Sequence, residues 1–464
     1  MRGLPPALRS RLQHSLADAK IEGRVSRTSG TDSAIAFDSA YSRGYVLYAI
    51  ALIFLVSVFN VTDRYILAIL APALQADLAL DDSQMGLLLG PSFSTVHFLA
   101  VLPAAWLADR HARRTVVAIG LFVWSGMTAL GGMSQSFVHI FLARMGVGIG
   151  EAAGSPPSAA LLSDTAPVAW RARALAAITV GALVGAAAGM LLGGLLGQEF
   201  GWRFTLIVLG LPGVLLALLV RFTLREPTRS AGRGVSPGRA ARHLFGFASF
   251  RWAVAAACIS NVALAARSLW EPTFLIRTYD LSMAQVGLVY VLIGALPSAA
   301  GAFAGAAVAD RLGARDPRWL AWVCTLSNLL AAPFLIAFLL WPESHVVELL
   351  GLEIPVAFAF SLVGSLFIGF FSPPMGALAQ ALATDRIRSL AHAIWTMPFT
   401  LIGMGLGPYL VGVFSDQWSD RHGTDALRYG LAAVSALLPV GAMAFLVAAR
   451  TLREDIAAAA ALRR

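Results

Sequence analysis

The sequence predicts an all-α membrane protein whose helices form two similar six-helix bundles. Three observations point to this fold: an apolar composition, apolar segments long enough to span a bilayer, and a repeat between the two halves. Of the 464 residues, 58% are hydrophobic and only 13% are charged, and the mean hydropathy is +0.72. Soluble domains carry about 25% charged residues, so the composition excludes a soluble globular protein.

From about residue 44 the chain is a series of apolar segments of roughly 20 or more residues, the length that a helix needs to cross the hydrocarbon core. Twelve such spans are predicted, at 44–75, 83–107, 115–134, 137–165, 171–198, 202–223, 251–279, 284–308, 318–341, 355–382, 387–415 and 427–450. The polar segment 1–43 has no apolar stretch like that of a signal peptide, and we interpret it as a tail. A second tail is predicted at 451–464.

The basic residues are distributed unevenly between the two sides of the predicted membrane protein. With the N-terminus inside, the tails, the loops on that side and the helix ends beside them hold 28 of the 35 basic residues. The resulting net charge is +16 inside and −7 outside. Because Lys and Arg favour the cytoplasmic side, both termini are predicted to be cytoplasmic. The basic segment 224–250 is then a cytoplasmic linker between the bundles 44–223 and 251–450.

A repeat relates the two halves. The Asp-Arg pair at 109–110, after the second span, recurs at 310–311 after the eighth, and the Ser-Pro-Pro string at 155–157 recurs at 372–374. Repeats of this kind are typical of two-bundle secondary transporters, in which six spans are followed by six equivalent spans.

Four ionisable residues fall within the first and fourth spans. Such groups cost roughly 2.5–3.5 kcal/mol each on insertion scales, so each needs a partner or a function. The opposite directions of the two spans place Asp63 and Arg144 at comparable depth, and Glu151 lies two turns from Arg144 on the same helix face. These groups form either an ion-pair staple or, as we favour, a site for protons and an anion. Asp63 and Glu151 then carry protons, with Glu151 the preferred carrier, whereas Arg64 and Arg144 bind the substrate, chiefly Arg144.

Arg267 and Glu271 in the seventh span lie one helical turn apart and can neutralise each other. Together with Trp270 they are candidates for an outer gate. A local ion pair without a gating role is the alternative.

Patterns for other classes of protein are absent from the sequence. The two cysteines, Cys258 and Cys324, lie inside apolar runs and form no CxxC metal motif. No GxxxxGK[ST] loop predicts ATP binding, and the scattered histidines predict neither a metal site nor an enzyme. We therefore expect no cofactor, no metal and no nucleic-acid partner.

The loops after the second and eighth spans closely resemble the signature Gly-x-Leu-Ala-Asp-Arg-x-Gly-Arg-Arg of the major facilitator superfamily. In that family the loop is a cytoplasmic latch, in which the Asp caps a helix of the other bundle and the arginines tie neighbouring helices. The resemblance assigns this latch to Asp109, Arg110, Arg113, Arg114, Asp310 and Arg311. Alanines at 105, 112 and 306 replace glycines of the signature.

Further strings resemble bacterial members of the Spinster-like transporters of that superfamily: Asn-Val-Thr-Asp-Arg-Tyr at 60–65, Arg-Met-Gly-Val-Gly-Ile-Gly-Glu-Ala at 144–152, Ser-Pro-Pro-Ser at 155–158, Leu-Ser-Asp-Thr-Ala-Pro at 162–167 and Gly-Trp-Arg-Phe at 201–204. The resemblance implies a monomeric secondary transporter in the bacterial inner membrane, surrounded by membrane lipids and driven by a proton gradient. Its animal members are associated with lysophospholipids and sphingosine-1-phosphate. The first two strings also resemble organic anion:cation symporters.

The predicted function is transport of an amphiphilic, anionic or zwitterionic lysolipid-like molecule by alternating access, coupled to protons as symport. The alternative is a proton-coupled symporter of an organic anion such as a sugar acid or another carboxylate. An integral-membrane enzyme is the less favoured third interpretation, because no nucleophile–base pair or metal cluster accompanies the spans.

Overall fold

The structure, a computed structural model, describes residues 41–227, 237–349, 352–384 and 387–461. Within these ranges the chain is almost entirely helical. We number the helices that correspond to the predicted spans α1 (Arg43–Leu78), α2 (Asp82–Leu89 with Pro91–Arg110), α3 (Arg113–Gly131), α4 (Phe137–Ala152 with Ser155–Thr165), α5 and α6 (the bent run Arg171–Thr223), α7 (Ala248–Tyr279), α8 (Met283–Tyr290, Val291–Ala295 and Leu296–Gly313), α9 (Trp319–Leu340), α10 (Ala357–Gly369 with Ser372–Leu382), α11 (Arg388–Pro398, Phe399–Met404 and Gly405–His422) and α12 (Ala426–Ser435 with Leu437–Ala461).

Nine helical runs in the described ranges are long and apolar enough to cross a membrane. Two of these runs, Val168–Thr223 and Ala393–Ala461, each contain two of the predicted spans, and α4 completes the twelve. The bend between α5 and α6 lies at Gly201, whose φ of 79° and ψ of 167° suit a residue without a Cβ atom.

Two segments that the sequence analysis left without structure are helical. The predicted linker contains a short helix, Pro237–Gly246, which packs the buried Ala240 and Leu244 against the second bundle. Helix α12 continues to Ala461, so most of the predicted tail at 451–464 is helical. Alanine has the highest helix propensity, and Asp455 accepts a hydrogen bond from the backbone N–H of Ser249. Of the predicted N-terminal tail, residues 1–40 lie outside the described ranges.

A β-hairpin connects α9 to α10. Strand β1 (Val346–Leu349) pairs antiparallel with β2 (Leu352–Pro355), so that Glu348 lies opposite Glu353. The Asp-Arg pairs are 201 positions apart and the Ser-Pro-Pro strings 217, so the second half is longer between these two motifs. The hairpin lies in this stretch and accounts for most of the extra length.

The repeat is also visible in how the helices begin. Helix α2 starts with a capping box formed by Asp81 and Gln84, and α8 starts with one formed by Ser282 and Gln285. In such a box each side chain accepts a hydrogen bond from the backbone N–H of the other residue. The two boxes are separated by the same 201 positions as the two Asp-Arg pairs.

Hydrogen bonds between the bundles are concentrated at one end of the protein, where α1 leads into α2 and α7 leads into α8. We name this end the closed end. There the Arg277 guanidinium lies 2.7 Å and 2.9 Å from the two carboxylate oxygens of Asp82 and also donates to Gln75. From α11, Ser415 donates to Asp82, and Asp416 accepts from the backbone N–H of Asp82. These bonds join four helices from both bundles.

Glycines permit the close approach of the bundles near this end. A Cβ atom at Gly287 on α8 would lie 2.5 Å from the Met190 carbonyl oxygen on α5, and one at Gly86 on α2 would lie 2.7 Å from the Pro408 carbonyl oxygen on α11. The two glycines are again 201 positions apart. Equivalent crossings therefore hold the bundles together on both sides of the molecule.

We expect Gly287→Ala to disfavour this closed arrangement, because the new methyl group overlaps a backbone atom of the other bundle. Overpacking of this kind costs about 1–3 kcal/mol, enough to shift a two-state population about tenfold. Distances between spin labels on the two bundles at the closed end should lengthen.

The matched control is Gly185→Ala, whose methyl group would meet the Val58 carbonyl oxygen within the first bundle. It should lower thermal stability without changing the distance distribution. Unchanged distances in Gly287→Ala would show that this crossing does not control closure.

Candidate substrate and proton site

The first ion pair lies inside the first bundle. Nη1 of Arg144 on α4 is 2.9 Å from Oδ2 of Asp63 on α1, and Thr128 on α3 donates a hydrogen bond to the other carboxylate oxygen. Both charged side chains are buried. The relative depths of the spans favoured this pairing. The two hydrogen bonds to Asp63 join helices α1, α3 and α4.

The second ion pair joins the same two helices but reaches the interior cavity. Arg64 donates from Nε and Nη2 to Oε2 of Glu151, over 3.0 Å and 2.5 Å. The side chain of Glu151 is fully buried, whereas that of Arg64 is 22% exposed. The other carboxylate oxygen of Glu151 has no hydrogen-bond partner among the described residues. Buried polar atoms are seldom left unpaired, so this oxygen can take a proton or a water molecule.

An aromatic ring that the sequence analysis missed links the two pairs. The Arg64 guanidinium lies 4.7 Å and the Arg144 guanidinium 5.6 Å from the ring centroid of Phe93 on α2. Cation–π attraction favours both positions. Gly148 permits this arrangement, because a Cβ atom there would lie 2.7 Å from the Phe93 carbonyl oxygen and would separate α2 from α4.

Between the bundles lies a cavity of about 440 Å³, within the usual range for small-molecule sites. Its polar lining comes from α1, α7 and α8 and consists of Arg64, Tyr65, Asn261, Arg267, Ser268, Glu271, Tyr290 and Ser298. Asp63 and Arg144 are not among the residues that line it. The predicted role of Arg144 as the main ligand of the substrate is therefore revised in favour of Arg64, because Arg144 faces Asp63 inside the bundle.

The structure places Arg267 and Glu271 in the cavity wall of the second bundle. Nη2 of Arg267 lies 3.1 Å from Glu271 and donates to the hydroxyl groups of Ser361 and Ser365 on α10. The closed end is held instead by Arg277. The two residues predicted to form a gate therefore lie in the cavity wall and not at the closed end.

The predicted latch residues lie at the opposite end from the closed end. Arg113 forms an ion pair with Asp164 on α4, and Arg114 donates to the carbonyl oxygen of Leu224 over 2.6 Å, so both connect neighbouring helices. A residue missed from the sequence, Glu226, accepts from the backbone N–H groups of both arginines.

The other members of the predicted latch are less constrained. The Arg110 guanidinium lies 3.9 Å from the ring centroid of Trp106. Asp310 and Arg311 are exposed at the end of α8. The side chain of Asp109 lies outside the described part of the chain.

Among the described residues, no group of three or more His, Cys, Asp or Glu side chains could hold a metal ion. Cys258 and Cys324 are buried and unbridged. The charged side chains that line the cavity are those of Arg64, Arg267 and Glu271.

We expect Asp63→Asn to lower the free energy of unfolding by about 3–5 kcal/mol, because it leaves Arg144 buried without its counter-charge. The double variant Asp63→Asn/Arg144→Gln should recover much of this loss. The control is Asp77→Asn. Asp77 and Arg203 form an ion pair in which both side chains are 42% exposed. Loss of such an exposed pair should lower the free energy of unfolding by only about 0–1 kcal/mol. Denaturant unfolding of the detergent-purified protein measures all three, and equal losses in the two single variants would contradict the buried pairing.

Comparison with known proteins agrees with this architecture. The profile of the Major Facilitator Superfamily matches residues 53–352. The chain is 33% identical to an "MFS-type efflux pump" of Mycolicibacterium smegmatis, over 88% of this chain and 94% of that protein. It is 24% identical to "Protein spinster homolog 1" of Xenopus tropicalis, over 88% and 81% of the two chains.

A shorter match, 29% identical over 39% of this chain and 41% of the other protein, relates it to the "Probable galactarate/D-glucarate transporter GudP" of Bacillus subtilis. Among solved structures, a bacterial homologue of the human lysosomal transporter Spinster, in an inward-facing and unoccupied conformation, superimposes with a TM-score of 0.79. The sequence identity is 25%, and the match covers 89% of this chain and 99% of that one. These relatives are named as transporters or efflux pumps, which supports transport rather than catalysis. The chain is a multi-pass membrane transporter that belongs to the major facilitator superfamily and is similar to the spinster homologues within it.

Proposed function

We propose that this protein is a proton-coupled symporter of an amphiphilic, anionic or zwitterionic molecule such as a lysolipid. The observation that carries the proposal is the position of Arg64, which is shared between the cavity and the buried carboxylate of Glu151. A guanidinium group stays charged at any working pH and binds phosphate or carboxylate groups through two parallel hydrogen bonds.

Coupling follows from competition for that guanidinium. In the empty cavity, Arg64 neutralises Glu151. When the anionic group of a substrate takes Arg64, Glu151 loses its counter-charge in a site that is shielded from water, and protonation removes the cost of a buried anion. Binding of the anion and binding of the proton then favour each other, which is the thermodynamic basis of symport. Asp63 stays paired with Arg144 throughout this exchange.

The walls of the cavity favour an amphiphile. Leu183 on α5 and Leu296 on α8 both line the cavity and are about half exposed. An acyl chain can pack against these two side chains while its head group reaches Arg64. The resemblance to Spinster-like transporters, whose animal members are associated with lysophospholipids, supports the same substrate class.

The second candidate is symport of a sugar acid or another carboxylate. The match to a galactarate/D-glucarate transporter supports it, as do the polar groups of Asn261, Ser268 and Ser298 in the cavity wall. Both candidates use the same arginine and the same proton carrier.

We expect Glu151→Gln to retain exchange of substrate but to lose accumulation driven by a pH gradient, because the amide mimics the protonated carboxyl group and releases no proton. Counterflow and pH-driven uptake of a radiolabelled lysolipid, and of galactarate for the alternative, are measured in the same proteoliposomes. Asp77→Asn, far from the cavity, should retain both activities. Normal pH-driven accumulation by Glu151→Gln would contradict the proposed coupling.

We further propose that the monomer is the transporting unit, since one chain forms the whole cavity, and that both termini face the cytoplasm of a bacterial inner membrane. The closed end then faces outwards, as in the inward-facing relative. The buried native cysteines allow a labelling test. In spheroplasts, an impermeant maleimide should label Thr424→Cys directly and Gly238→Cys only after permeabilisation. The reverse pattern would contradict this orientation.

A further inference from the structure

The cavity carries a second arginine on the wall opposite Arg64. Arg267 belongs to α7 of the second bundle, is 7% exposed and lines the same cavity. All of its hydrogen bonds to described residues start from Nη2, which contacts Glu271, Ser361 and Ser365. Among the described residues, its buried Nε has no hydrogen-bond partner and Nη1 donates to no acceptor. Nη1 of this fixed guanidinium group is therefore available to a ligand.

The surrounding helices show a second feature of a binding wall. Helix α8 contains a π-helical turn, Val291–Ala295, and α11 contains another, Phe399–Met404. Both turns contribute residues to the cavity lining, including Gly294 and Met404. Turns of this kind are rare and occur frequently at functional sites. In the described part of the chain they occur only in the second bundle.

We infer that Arg64 and Arg267 together bind a substrate with two negative charges, and that the anion connects the two bundles. This inference rests on the proposed function, in which Arg64 binds the anionic group. The ligand chemistry is a phosphate monoester or a pair of carboxylates, and the two sources are a lysolipid with a terminal phosphate and a sugar diacid.

The charges of the site explain why two arginines suit a dianion. Arg64 is neutralised by Glu151 and Arg267 by Glu271, so the empty site has no net charge. A monoanion needs only one guanidinium partner, and Arg64 supplies it. Discrimination in favour of a second negative charge requires a further donor. Arg267 offers Nη1 for this purpose, because Glu271 and the two serines fix its Nη2.

The test compares pairs of probes that differ by one negative charge. Lysophosphatidate is paired with lysophosphatidylglycerol of the same acyl chain, and galactarate with galactonate. Binding to the full chain in nanodiscs is measured at pH 8, where the phosphate monoester is dianionic. Within the pair that the protein binds, the dianion should bind about tenfold or more tightly, as expected for an added charge-assisted hydrogen bond. The pair of probes that the protein binds shows whether the ligand is a lysolipid with a terminal phosphate or a sugar diacid.

The decisive variant is Arg267→Gln/Glu271→Gln, which removes both charges and leaves no buried charge unpaired. It should bind the monoanion normally and lose most of the preference for the dianion. Asp77→Asn, at a residue that does not line the cavity, should keep the preference. Arg64→Ala should weaken binding of every probe.

Several outcomes would overturn the inference. The first is an unchanged preference for the dianion in the double variant. The second is equal binding of both members of each pair to the unmodified protein. The third is tightest binding of lysophosphatidylethanolamine, with loss of that binding in Glu271→Gln. The last result would make Glu271 a site for an ammonium group. Full binding of all probes by Arg64→Ala would instead contradict the proposed function.

Discussion

A charge buried in an apolar bundle is stable only when an opposite charge lies close to it, and the first bundle is organised around this constraint. Asp63 and Arg64 are adjacent on α1, so their side chains leave the helix about 100° apart. Asp63 points into the bundle towards Arg144, and Arg64 points towards the cavity and Glu151. One dipeptide thereby supplies a structural ion pair and an exchangeable one.

The two pairs differ in what a ligand can reach. The pair formed by Asp63 and Arg144 is completed by Thr128 and does not line the cavity. The Arg64–Glu151 pair has an exposed cation in front of a buried anion with one unpartnered oxygen. Only the arginine of the second pair lines the cavity, and the proposed exchange of the carboxylate for an incoming anion depends on this difference.

The two bundles share their packing but not their charges. Capping boxes and glycine crossings recur at a constant separation in the sequence, because both halves must approach each other in the same way. The ion pairs do not recur: the first bundle links helices α1 and α4, whereas Arg267 and Glu271 pair within α7. The pseudo-symmetry is therefore kept where the two bundles pack, and the departures from it lie at the cavity wall.

Composition and hydropathy determined the membrane fold, since segments of this length and apolarity have no stable alternative in water. The Asp-Arg strings determined the superfamily, and the cost of charge in a span was enough to single out Asp63, Arg64, Arg144 and Glu151. The tertiary structure alone decided which arginine faces the cavity, because this depends on the rotation of α1 within its bundle. It also decided that Arg277, and not Arg267, holds the closed end, and that Phe93, Ser361 and Ser365 complete the site. These residues are ordinary in sequence, and their roles arise only from the helices packed against them.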